Sequence, residues 1–103
     1  MEKQYLFLKS VSCRPTFHLD MSSEERQVMM QHIAYWTEIT KSGNGIIFGA
    51  VAEATGNWGL GIIEIESENE VLNLIDNDPA FIGKLMTYEY HPIRIGMIRG
   101  MTK

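Results

Sequence analysis

The 103-residue chain is 45% hydrophobic and 21% charged, with a net charge of −4 and a pI near 5.3. Those values suit one globular domain, residues 1–103, with a thin core. They exclude the basic stripe that nucleic acid requires and weigh against an anionic membrane surface.

Cys13 is the only cysteine, so neither an internal disulfide nor a thiolate zinc cage can form. The N-terminal run MEKQYLFLKS has no signal-like apolar core. Nothing approaches the roughly 20 apolar residues of a membrane span. A reduced, cytoplasmic protein is expected.

Gln4 to Ser12 reads as a strand. Leu6 and Leu8 face one way, and Tyr5, Phe7 and Val11 face the other, with Lys9 and Ser10 interrupting. Two apolar faces are not the pattern of a half-exposed strand. Arg14-Pro15 ends it, and Thr16 to Met21 is expected as a linking loop.

Glu24 to Lys41 is a strongly amphipathic helix that Asp20, Ser22 or Ser23 can cap, Ser22 with Glu25 fitting a capping box. At about 100° per residue, Tyr35, Val28, Ile39, Trp36, Met29 and Ile33 share one arc, and His32 lies inside it. The helix stops at Ser42-Gly43-Asn44-Gly45. A second strand, Ile46 to Ala52, and a third, Leu60 to Glu66, form a hairpin around Gly56-Asn57.

Ser67 caps a second helix, Glu68 to about Asp76, whose apolar side is Val71, Leu72, Leu74 and Ile75. Pro79 ends it, and Pro79 to Lys84 reads as a further helical turn. Leu85 to Arg94 is the last strand, with Met86, Tyr88 and Tyr90 on one side. The core spans about residues 5–94, and Gly96 to Lys103 is a tail.

This β-α-β-β-α-β order is the α+β, ferredoxin-like arrangement: a four-stranded antiparallel sheet with two helices on one face. The opposite face stays apolar. A homodimer through that open face is therefore expected, with the tail able to extend it.

The chemistry centres on His32. An inward imidazole needs a partner, and a carboxylate on one ring nitrogen would fix the tautomer and support the imidazolium. Without one, the default is a hydrogen-bonded core histidine. His18 and His91 read as structural or exposed. With no close pair of histidines, no metal site is expected. Gly59-Leu60-Gly61 opens a strand rather than a helix, so it fails the context of a phosphate loop. No feature calls for a cofactor.

Several stretches together carry a resemblance: His32-Ile33-Ala34-Tyr35-Trp36, Ser42-Gly43 leading into Ile46 to Gly49, Gly59 to Ile65, Asn77-Asp78-Pro79-Ala80-Phe81, and Tyr88 to Pro92. From about Tyr5 to Arg94 the chain resembles the YCII-related (YciI-like) family of dimeric α/β-barrel proteins. One departure is Gly49-Ala50, where the family often has Gly-Pro.

The resemblance implies a small enzyme with a histidine–aspartate pair between helices and sheet, carried here by His32 and Asp78. Some members eliminate halide from a chlorinated aromatic diol. By default Asp78, before proline, is a cap or turn residue.

Arg14 is a candidate to hold an anionic group, its alternative being a surface ion pair. Phe17, Tyr35 and Trp36 are candidates to line a substrate pocket, their alternative being core. The leading expectation is acid–base chemistry, an elimination, isomerisation or hydrolysis, on a small cyclic or anionic molecule. The alternatives are a non-catalytic small-molecule or partner-binding dimer, and a cofactor-free oxygenase.

Overall fold

The N-terminal apolar run forms β1 (Gln4–Ser12) in the computed structural model, which describes residues 3–100. A single turn, α1 (Phe17–Asp20), occupies the stretch expected as a loop, and it buries Phe17. Then follow α2 (Ser23–Ser42), β2 (Gly45–Val51), β3 (Trp58–Ile65), α3 (Glu68–Asp76), the single turn α4 (Pro79–Ile82) and β4 (Met86–Ile93). All strand pairs are antiparallel, in the order β2-β3-β1-β4. This is the ferredoxin-like α+β fold. No helix among the described residues is long and apolar enough to cross a membrane. Residues 101–103 of the expected tail lie outside the described part.

The start of α2 follows from local chemistry. Ser22 Oγ accepts from Glu25 N at 3.1 Å, and Glu25 Oε1 accepts from Ser22 N at 2.9 Å, a complete capping box. Further on, the chain turns so tightly out of α2 that a Cβ on Gly45 would stand 2.8 Å from Thr40 Cα. Gly56, at φ 129°, makes the hairpin turn in a conformation open mainly to glycine.

One face of the sheet carries the core. Leu6 and Leu8 of β1, Ile63 and Ile65 of β3, Trp36 of α2, and Val71 and Ile75 of α3 form one buried cluster. Two expected apolar positions depart from it. Leu72 is 43% exposed, because Val71 and Ile75 already fill the inner side of α3. Ile33 is 52% exposed, because the first half of α2 overhangs a cavity rather than packed side chains.

The cavity has a cause in strand register. Ser10 lies opposite Gly59 and Tyr88, and Gly59 opposite Ala50, while Leu8 lies opposite Gly61. Small residues therefore meet on neighbouring strands where α2 crosses, and they leave a hollow. His32 stands above it.

Candidate active site

Asp78 is fully buried, with a relative exposure of 0%. It caps α4, where its Oδ1 accepts from Ala80 N at 3.0 Å. That satisfies the cap role, yet three more donors converge on the carboxyl. His32 Nδ1 lies 2.9 Å from both carboxyl oxygens. Trp36 Nε1 donates to Oδ2 at 3.0 Å, and the Tyr88 hydroxyl donates to the same oxygen. Three elements thus hold one carboxylate: α2 through His32 and Trp36, α4 through its own first turn, and β4 through Tyr88.

These contacts decide the charge. Burial alone would push the Asp78 carboxyl up, but the hydrogen bonds from His32, Tyr88 and Trp36, with the attraction of His32, bring it below its ordinary value. Tyr88 moves the opposite way. Its own burial, then the Asp78 charge and their shared hydrogen bond, raise the phenol, so it stays a donor. Tyr35 is pushed up to about 12 by burial and by the Asp78 charge.

An ionised Asp78 makes Nδ1 the protonated nitrogen of neutral His32. Nε2 then carries the lone pair, and it has no hydrogen-bond partner among the described residues. The ring keeps 12% of its side chain accessible and lines two adjoining cavities. The larger, about 290 Å³, lies between the first half of α2, Phe17 of α1 and the β2–β3 hairpin, with Phe48, Trp58 and Met86 among its walls. The smaller, about 30 Å³, sits beneath the ring between Trp36, Tyr88 and Ser10. Such an arrangement can accept a proton at Nε2 from a molecule in the larger cavity and stabilise the resulting imidazolium through Asp78.

The other candidates divide. Phe17 lines the large cavity and Trp36 the small one, where Trp36 also orients Asp78. Tyr35 lines neither cavity; its hydroxyl donates to Leu74 O at 2.6 Å and its ring meets Trp36 edge-on.

Arg14, too, lines neither cavity. Its Nη1 and Nη2 donate to the two Glu25 oxygens at 2.9 and 2.8 Å, and its Nε to Asp20 Oδ1 at 2.8 Å. The guanidinium is spent on fastening the start of α2, and those donors hold Glu25 at about 2. The surface ion pair weighed as its alternative is what the structure contains.

His18 is exposed on α1 at the wall of the large cavity. His91 Nε2 meets Glu89 Oε2 at 2.9 Å on the outer side of β4. Among the described residues, no group of three or more His, Cys, Asp or Glu side chains gathers as a metal site would require.

Tyr88 and Ser10 escaped the reading of the chain. Alternation along β4 put Tyr88 on the Met86 side, but nothing local tied its hydroxyl to a carboxylate ten residues earlier. For Ser10 the signal was present: positions 6, 8 and 10 share a strand face, so Ser10 points inward with Leu6 and Leu8.

None of the curated proteins matches the chain. Among solved structures it is similar to the 5-chloro-2-hydroxyhydroquinone dehydrochlorinase TftG from Burkholderia phenoliruptrix AC1100, in complex with 2,5-dihydroxybenzoquinone. That match covers 88% of this chain and 95% of the other, with a TM-score of 0.65 and 20% identity, which is a likeness of fold. The model of the YCII-related domain matches residues 8–94. The chain belongs to the YCII-related family.

Proposed function

We propose that this protein is an enzyme performing acid–base chemistry on a small cyclic molecule, with His32 as the proton-transferring group and Asp78 as its orienter. One observation carries the reading: a fully buried carboxylate with three other donors grips Nδ1 symmetrically and leaves Nε2 turned to a cavity. A histidine that served packing alone would not need so elaborate a counter-charge.

In the step proposed, Nε2 takes a proton from a carbon or hydroxyl of the substrate. The electron pair left behind forms a new double bond, and in an elimination it expels a leaving group from the neighbouring carbon. The imidazolium, held by Asp78, then gives the proton to another carbon of the substrate in an isomerisation, or to water after an elimination. Asp78 stays ionised throughout, because its oxygens are already occupied by donors. The cavity favours a ring: its walls are largely aromatic and aliphatic, and about 290 Å³ is near the lower end of small-molecule sites. The TftG dehydrochlorinase supports the elimination class by likeness of fold alone.

The test is turnover on a panel of chlorinated and hydroxylated monocyclic aromatics, read as chloride release and absorbance change. His32→Ala should remove the activity and cost less than about 3 kcal/mol of stability, since Asp78 keeps three donors. Undiminished turnover in that variant would sink the proposal.

The dimer belongs to the same proposal. It is supported by the open sheet face, where Phe7 and Trp58 stack edge-on at 6.2 Å and Val11 and Ile47 are 43% and 51% exposed.

A further inference from the structure

Among the described residues two polar ones are buried, Asp78 and Ser10. The first has four donors; the second has no hydrogen-bonding side-chain partner among the described residues. Ser10 is 4% exposed, lies at the centre of the sheet, and lines the small recess together with His32, Trp36 and Tyr88. No side-chain oxygen among the described residues is both sealed off and unbonded, so the Ser10 hydroxyl stays open to the recess it lines. An otherwise apolar sheet centre thus offers one hydroxyl, able to donate and to accept, to whatever enters that recess.

The register shows where the hydroxyl points. Gly59 is the cross-strand neighbour of Ser10, and a Cβ built on Gly59 would stand 2.1 Å from Ser10 Oγ. The glycine leaves free the space into which the hydroxyl projects, on the side of the recess. That recess, about 30 Å³, holds one water or one substituent atom, and it adjoins the larger chamber through His32, Phe48 and Gly59.

We infer that Ser10 is a specificity-determining residue whose hydroxyl binds a single neutral oxygen, a ring hydroxyl or keto group, on the molecule held beside His32. This rests on the reading of the chamber as a substrate site. The oxygen is neutral because, among the described residues, no lysine or arginine lines the recess, His18 lines the larger chamber alone, and the carboxylate that His32 holds is saturated. With that oxygen in the recess, the ring stays in the larger chamber and its adjacent C–H or O–H bond lies near Nε2. The substrate class narrows to oxygenated, uncharged six-membered rings.

A matched pair of probes tests it: 4-chlorophenol and 4-chlorotoluene, titrated against the full chain while the His32 ring proton resonances are followed by NMR. The wild type should bind the phenol about ten-fold more tightly than the toluene. Ser10→Ala should erase that preference and leave the toluene affinity unchanged. Gly59→Ala, which keeps the hydroxyl but crowds it, should weaken the phenol in the same direction. Ser10→Thr, which restores a hydroxyl, should recover part of it.

Equal affinity of the wild type for both probes, or a Ser10→Ala variant that keeps the preference, overturns the inference. These are binding readouts, so they stand or fall separately from turnover. Loss of activity in His32→Ala with an unchanged phenol preference in Ser10→Ala would remove Ser10 and leave the histidine. The reverse result would do the opposite.

Discussion

At the scale of single residues, the buried carboxyl of Asp78 links the stability of the fold to the chemistry proposed for His32. Its value in the fold lies below the ordinary one. Its ionised form therefore adds stability that is complete above about pH 4 and is lost as pH falls through the lower folded value. Asp78→Asn should cost about 3–5 kcal/mol, because one buried oxygen and an amide cannot satisfy four donors. It should also flatten the acid limb of a plot of stability against pH, measured by urea unfolding. An unchanged limb would mean that the charge is not where the fold places it.

Tyr88→Phe is the milder probe, removing one donor at a cost of about 1–3 kcal/mol. Since that donor helps to depress Asp78, the acid limb of the variant should shift to higher pH. Any fall in turnover should accompany a change in the pH profile rather than in substrate affinity.

At the scale of elements, the chain declared most of its structure. Ser22 and Glu25 announced where α2 begins, Pro79 where α3 must end, and the alternation of Leu6 and Leu8 which side of β1 faces inward. What stayed hidden was lateral: which residues of separate strands stand side by side. The hollow under α2 exists because Ser10, Gly59 and Ala50 align across three strands, and alignment is a property of pairing that no single stretch displays. Arg14 shows the same limit. Its type suited an anion site or an ion pair equally, and only the approach of Glu25 and Asp20 selected the pair.

The two roles for Arg14 separate in one variant. Arg14→Ala should lower the thermal midpoint by loosening the start of α2, while KM for any substrate of the His32 chamber stays unchanged. A raised KM at an unchanged midpoint would restore the anion-binding role. Ser22→Ala, at the neighbouring cap, should cost about 0.5–2 kcal/mol by thermal or urea unfolding.

At the scale of the whole molecule, the two faces of the sheet have different tasks. The helix side carries the core and the His32 chamber; the outer side presents Phe7, Val11, Leu60, Ile62 and Val51 in adjoining rows. Lys9 stands among them opposite Leu60, and Glu89 and His91 border them on β4, so the face is an apolar patch with a charged margin, the pattern of an interaction surface. A second copy is the occupant proposed above, since pairing through like faces would close a two-fold assembly. Stable pairs of this kind bury about 800 Å² on each partner, a scale that one face of a four-stranded sheet can supply.

The wild-type chain should therefore sediment at twice 11.8 kDa, with a thermal midpoint that rises with protein concentration. Phe7→Glu or Ile62→Glu would place a charge at the centre of that contact and should return the mass to that of one chain. Neither residue lines the chamber, so the monomeric variants should still bind a phenol at the His32 site wherever they remain folded. A wild type that sediments as a single chain at micromolar concentration would show that the face meets water or another protein. Loss of phenol binding in a folded monomer would show instead that the chamber depends on the partner.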